Sequence, residues 1–155
     1  MGYVGKPKRI DIKLLKEIIK KDFVPVITPM GLDDKGFPYN INADTAAGAL
    51  AKSIKSRRLI LLTDVGGVLD NNDKLVSEIN TSQANELINN KTIHGGMIPK
   101  VKTCIDAINN GVRAVVIIDG RKPHSILFEL FSDQGAGTLI RKWKHFNQSN
   151  FGFSI

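Results

Sequence analysis

Apolar and polar positions along the chain change period several times, and each change marks an element. Leu14, Leu15, Ile18 and Ile19 recur at helical spacing, with Asp11 placed to cap the start. Phe23 to Thr28 is a short apolar run bounded by Pro29 and Gly31, which reads as a buried strand. Gly31 to Tyr39 is turn-rich, with Asp34-Lys35-Gly36 as a hairpin tip. Asn42 then stands as the N-cap of an alanine-rich helix reaching Ile54.

Leu59 to Leu62 is a continuous apolar run, the signature of a strand covered on both faces. It empties into the turn Thr63 to Gly67, and Val68-Leu69 opens a small hairpin through Asn71-Asn72-Asp73. Thr81 is placed to cap a short helix ending at Ile88. A longer helix follows from Met97 to Asn110, with Met97, Val101, Cys104, Ile105 and Ile108 inward and Gly111 as its stop. Val112 to Ile118 is a third apolar strand, Ser125 to Phe131 a helix, and Gly137 to Ile140 a last strand. Such alternation predicts an α/β fold, a three-layer αβα sandwich with a mostly parallel sheet, over residues 1–140. Residues 141–155 have no clear period and read as a basic tail, loosely helical or disordered.

Composition narrows the class. A chain of 155 residues, 42% hydrophobic and 24% charged, is long enough for one domain with its own core. No stretch is apolar for the roughly eighteen residues that a membrane span needs. The single cysteine, Cys104, cannot pair within the chain, which points to the cytoplasm. It falls on the inward helix face and reads as a small buried residue, not a nucleophile. The net charge of +7 attracts anions without choosing among them. Nucleic acid is disfavoured, because aromatics make up only 6% and no recognition module is visible.

Ligands of open α/β sheets bind beyond the carboxyl ends of the strands. Three polar, glycine-bearing segments stand at such ends: Thr63 to Gly67, Asp119 to Arg121, and the loop after Thr28. Gly66-Gly67 either let a backbone approach a phosphate or simply make a tight turn. Neither a Walker A loop nor GxGxxG is present. Lys100 lies in the first turn of a helix preceded by Gly95-Gly96, against the helix dipole. An anion held by that helix start and the ammonium would remove the conflict; an exposed lysine would merely tolerate it. Asp44, in the first turn after Asn42, is favourable there whatever else it does. His94 and His124 have no second histidine or cysteine at ligand spacing, so no zinc site or other metal site is expected.

Taken in order, these segments resemble the amino-acid-kinase family, and within it the acetylglutamate kinases. The motifs are Asn40-Ile41-Asn42-Ala43-Asp44, Thr63-Asp64-Val65-Gly66-Gly67-Val68-Leu69, Gly95-Gly96-Met97-Ile98-Pro99-Lys100, Asp119-Gly120-Arg121-Lys122-Pro123-His124 and Gly135-Ala136-Gly137-Thr138. The resemblance implies transfer of the γ-phosphoryl of ATP, with Mg2+, to the side-chain carboxylate of N-acetyl-L-glutamate in arginine biosynthesis. It implies that Asn40 contacts the acetylglutamate and that Lys100 stabilises the transferring phosphoryl group. Asp44 would hold lysine side chains, while Asp64, Val65, Gly66, Gly67, Val68, Leu69, Gly96 and Met97 would line the nucleotide.

The family's glycine-rich phosphate loop, with its second lysine, is not found near Met1. The chain is therefore expected to be the C-terminal nucleotide-binding portion, needing an N-terminal half in cis or in trans and weakly active alone. A homo-oligomer is compatible with the resemblance. The alternatives are another amino acid kinase, such as a glutamate 5-kinase or uridylate kinase, and a non-catalytic arginine-sensing or interaction domain. The decisive expectation is that the Lys100 ammonium and the turn at Gly66 face one polyphosphate.

Overall fold

The computed structural model describes residues 2–142, so the expectation for the tail falls almost wholly outside the described residues. Two sheets carry the fold. The first has the order β1-β3-β2, from Val4–Gly5 (β1), Met30–Leu32 (β2) and Pro38–Ile41 (β3). The second has the order β4-β6-β7-β5, from Arg58–Thr63 (β4), Glu78–Asn80 (β5), Ala114–Asp119 (β6) and Gly137–Arg141 (β7). The helices are α1 (Lys13–Lys20), α2 (Ala43–Ile54), α3 (Thr81–Asn89), α4 (Met97–Asn109) and α5 (Ser125–Phe131).

Among the described residues, three of the five strand pairings are parallel, β1 with β3, β4 with β6 and β5 with β7. The exceptions are the β2–β3 hairpin and the antiparallel β6–β7 pair. The second follows from a short connection. α5 has seven residues and is roughly 10 Å long. The chain then turns back, and β7 enters beside the carboxyl end of β6, with Gly137 opposite Ile118. That approach is close: a Cβ on Gly137 would stand 2.0 Å from the Ile117 carbonyl oxygen.

β6 is the centre of the core. Val115, Val116, Ile117 and Ile118 are all buried, so both faces of the strand are covered. Val115 and Ile117 join Val101, Cys104, Ile105 and Ile108 of α4 in one apolar cluster with Ala51, Leu59, Leu61 and Ile140. α5 packs against β6 as well and buries Ser125 and Glu129.

Several expected elements stand as read. Asn42 caps α2 by accepting from the Thr45 amide at 3.0 Å. The hairpin tip forms, with Asp33 accepting from the amides of Lys35 and Phe37. The hairpin after Val68 closes through a Leu69–Leu75 bridge. α4 ends at Asn109, just before Gly111, with Val101, Cys104, Ile105 and Ile108 buried as expected and Met97 only partly buried against the core.

Four readings need correction. Phe23 to Thr28 is not a buried strand: Val24 and Val26 are 87% and 95% exposed, and the strand begins only at Met30. Pro25 interrupts the run and Pro29 closes it, and neither supplies an amide to a ladder. β4 is fully covered on one face and only partly on the other, since Leu59 and Leu61 are buried while Ile60 is half-buried and Leu62 exposed. An apolar run cannot distinguish one covering layer from two. The cap of α3 is Asn80, in a capping box with Gln83, and Thr81 is the first helical residue. Asp11 accepts from the Lys13 amide at 2.9 Å, but the N-cap position of α1 is Ile12, which makes no side-chain cap bond, and α1 buries no residue.

Gly137→Ala tests the close β6–β7 approach. Overpacking costs roughly 1–3 kcal/mol, and here the obstacle is a backbone carbonyl that cannot rotate away. Chemical denaturation should show a loss at or above that range, whereas Gly2→Ala, with open space around it, should leave stability unchanged.

Candidate active site

The parallel pair β4–β6 brings Thr63 opposite Asp119, so both strands discharge their loops at one edge. The Gly120 amide donates to the Thr63 carbonyl at 2.8 Å and ties the two exits together. Only the first of these loops enters the main cleft, which has a volume of about 590 Å³. Asp64, Val65, Gly67, Val68 and Leu69 form one wall of it. His94, Gly95, Gly96, Met97, Pro99 and Lys100 form another, and Asn42, Asp44 and Thr45 lie at the start of α2.

Nine residues expected at the site thus line one cleft: Asp44, Asp64, Val65, Gly67, Val68, Leu69, Gly96, Met97 and Lys100. Gly66 lies between two of them without lining it. Asn40 does not line it either. It is exposed on β3, where its amide donates to the Tyr3 carbonyl, two residues before the cleft-lining Asn42. Arg121 also lies outside, turned back on its own loop by Asp119, and the loop after Thr28 takes no part.

The charged centre of the cleft is an ion pair. Lys100 Nζ donates to Asp44 Oδ2 at 2.7 Å, with side chains 14% and 26% exposed. Both groups sit in the first turn of a helix, where an acid is favoured and a base disfavoured. Pairing Asp44 with Lys100 offsets the conflict at α4 and leaves ammonium protons for a further acceptor. α2 and α4 must be close for this to occur. Gly48 of α2 faces Thr103 of α4 so tightly that a Cβ would stand 2.7 Å from its methyl group. The Met97 and Ile98 amides donate to the carbonyls of His94 and Gly95 at 3.3 Å. With those first helical amides already weakly engaged, Lys100 carries much of the local positive field.

Thr45, Thr92 and Thr103 line the cleft without having been singled out by sequence. Thr103 is three residues after Lys100, so helical geometry alone places it on the same face. Thr92 had no such signal; its hydroxyl donates at 2.9 Å to the Oδ1 of Asn71 in the hairpin. Beneath the ion pair, Cys104 is fully buried, and that burial, reinforced by the Asp44 charge, pushes its thiol up to about 12. It is neutral at physiological pH and cannot act as a thiolate nucleophile there.

The geometry combines a paired lysine, a glycine-bearing turn and a helix start around one opening, which suits an extended anion. The chain also matches the sequence profile of the amino acid kinase family over residues 2–119. The chain belongs to the amino acid kinase family. It is 58% identical over 142 residues to an acetylglutamate kinase of Pelagibacter ubique, covering 92% of this chain and 49% of that protein. An acetylglutamate kinase of Rhodopseudomonas palustris is 51% identical over 92% of this chain and 48% of its own. The chain therefore spans about half the length of the curated relatives it matches.

Among solved structures, N-acetylglutamate synthase from Neisseria gonorrhoeae, complexed with coenzyme A and L-arginine, superimposes with a TM-score of 0.85. The identity is 25%, over 91% of this chain and 33% of that one. Carbamate kinase from Giardia lamblia bound to AMP-PNP, 23% identical, gives 0.70 over 90% of this chain and 47% of its own and shares the fold. Among the described residues, no helix is long and apolar enough to cross a membrane.

Beside the cleft, the Arg121 guanidinium and backbone amide hold the Asp119 carboxyl down from 3.8 to about 2. A carboxylate depressed by folding contributes stability above its unfolded pKa and loses it as pH falls through the folded one. Acid unfolding should therefore steepen between about pH 4 and pH 2. In Arg121→Ala, circular dichroism should show its onset at higher pH; an unchanged profile would separate this pair from acid stability.

Proposed function

We propose that the chain provides the nucleotide-binding part of an acetylglutamate kinase. That enzyme transfers the γ-phosphoryl of ATP to the side-chain carboxylate of N-acetyl-L-glutamate, a step of arginine biosynthesis carried out in the cytoplasm. The observation that carries this reading is the Lys100–Asp44 pair opening onto the cleft lined by Asp64 to Leu69. The names of the relatives at 58% and 51% identity supply the acceptor.

In this reading the bond between the γ-phosphorus and the β,γ-bridging oxygen breaks as a carboxylate oxygen bonds to phosphorus. The products are ADP and an acyl phosphate. The acceptor is already ionised at neutral pH, so no general base is needed. Catalysis is then positioning and charge compensation. Lys100 donates to oxygens of the moving phosphoryl group, and Asp44 aims that ammonium without accepting a proton. Magnesium arrives with ATP as part of the substrate and neutralises phosphate charge. Val65, Gly67, Val68, Leu69, Gly96 and Met97 flank the nucleotide. Asn40, on β3 two residues before the cleft-lining Asn42, contacts the acetylglutamate.

The remaining groups come from an N-terminal half joined in cis or in trans. The exposed apolar side chains of Phe23, Val24, Val26 and Ile27 suit contact with it. Assays follow ATP-dependent acyl phosphate formation by the chain alone and with the N-terminal half of a relative. Alone it should bind nucleotide weakly and turn over little; the complemented enzyme should phosphorylate acetylglutamate in preference to glutamate, carbamate or UMP. Lys100→Ala should lower kcat by roughly 10²–10³, the size expected for losing one charge-stabilising donor. Preference for another acceptor would defeat the substrate assignment, and full activity without the other half would defeat the divided site.

A further inference from the structure

We infer that Thr138 is the positioning residue of the cleft's glycine-bearing loop, fixing through its hydroxyl the backbone on which nucleotide affinity depends. The inference rests on the nucleotide reading above and adds to it a residue outside the cleft lining.

Thr138 lies on β7 and is completely buried. Its hydroxyl accepts from the Val68 amide at 2.8 Å and donates to the Val76 carbonyl at 2.7 Å. The Val76 amide in turn donates to the Val68 carbonyl at 2.9 Å. One side chain therefore grips both ends of the hairpin that leaves the cleft wall, and a hydroxyl is suited to this because it donates and accepts at once. The loop rests directly on it. Gly67 has φ +146°, outside ordinary side-chain territory, and a Cβ there would stand 2.6 Å from the Thr138 oxygen. Gly67, Val68 and Leu69 line the cleft, so a displacement at Val68 is transmitted to its wall.

β7 is itself an unyielding support. Gly137, one residue earlier, is pressed against the Ile117 carbonyl of β6. The position of the loop is thus referred to the most deeply buried strand of the molecule through one hydroxyl. The threonine methyl fills space that serine would leave, but the two hydrogen bonds need only the oxygen.

The purified chain is compared as wild type, Thr138→Ser and Thr138→Val, with ADP and ATP titrated calorimetrically and amide hydrogen exchange followed at Val68 and Val101. Thr138→Val should accelerate exchange at Val68 at least tenfold without a matching change at Val101. It should also weaken nucleotide binding roughly tenfold, the size expected for breaking a buried polar pair. Thr138→Ser should restore both towards wild type. In the complemented enzyme, Thr138→Val should raise the KM for ATP while leaving that for acetylglutamate within about twofold, a split that general destabilisation does not produce.

Unchanged nucleotide affinity in a folded Thr138→Val protein overturns the inference, as does equal damage in the serine and valine variants. If the valine variant does not fold, Gly67→Ala supplies the test from the loop side, and wild-type affinity there overturns it equally. A wild-type chain that binds neither nucleotide refutes the proposed function instead, and the Val68 exchange rates then decide the clamp by themselves.

Discussion

A lysine ammonium in the first turn of a helix is electrostatically misplaced, and much of the site follows from how that misplacement is compensated. Lys100 stands where the α4 dipole disfavours positive charge, and Asp44 stands where the α2 dipole favours negative charge. Their 2.7 Å contact uses the second to correct the first. It requires two helix starts to meet at one point, and the absence of a side chain at Gly48 allows that meeting. A partly buried ion pair gains little net stability once desolvation is counted. Its value is directional: the ammonium is held in place with protons left for a further acceptor.

The second support of the site is mechanical. β6 is buried on both faces, β7 lies against it at Gly137, and Thr138 carries that rigidity outwards to the Val68 amide. The ion pair and the hydroxyl clamp thus approach the same cleft from different elements, one through α2 and α4 and the other through β7. Neither replaces the other. The pair orients a charge, and the clamp fixes backbone.

Much of this was legible before any coordinates. The periodic face of α4, the Asn42 cap and the hairpin tip depend on residues within a few positions of one another, and local chemistry specifies them. The ordered motifs also named nine residues that line one cleft, while Asn40 and Gly66 do not line it. The Phe23 to Thr28 run was misread because apolarity suggests burial without supplying a covering layer, and its prolines outweighed its β-branched residues. β4 was misread for a related reason: a continuous apolar run is compatible with one covered face or two. The cap of α3 shifted by one residue because Asn80 and Thr81 are both good caps, and only Asn80 has Gln83 at the reciprocal spacing.

By itself, the order of residues determined which polar and charged side chains are available and on which local element each lies. It could not decide that Asp44 reaches Lys100 across 56 positions, or that Thr138 reaches Val68 across 70. Those contacts arise where helices and strands remote in sequence pack together, so they depend on distances that only the folded chain defines. The direction of β7 was likewise a tertiary decision, taken because a seven-residue helix and a short return loop bring it back to the carboxyl end of β6.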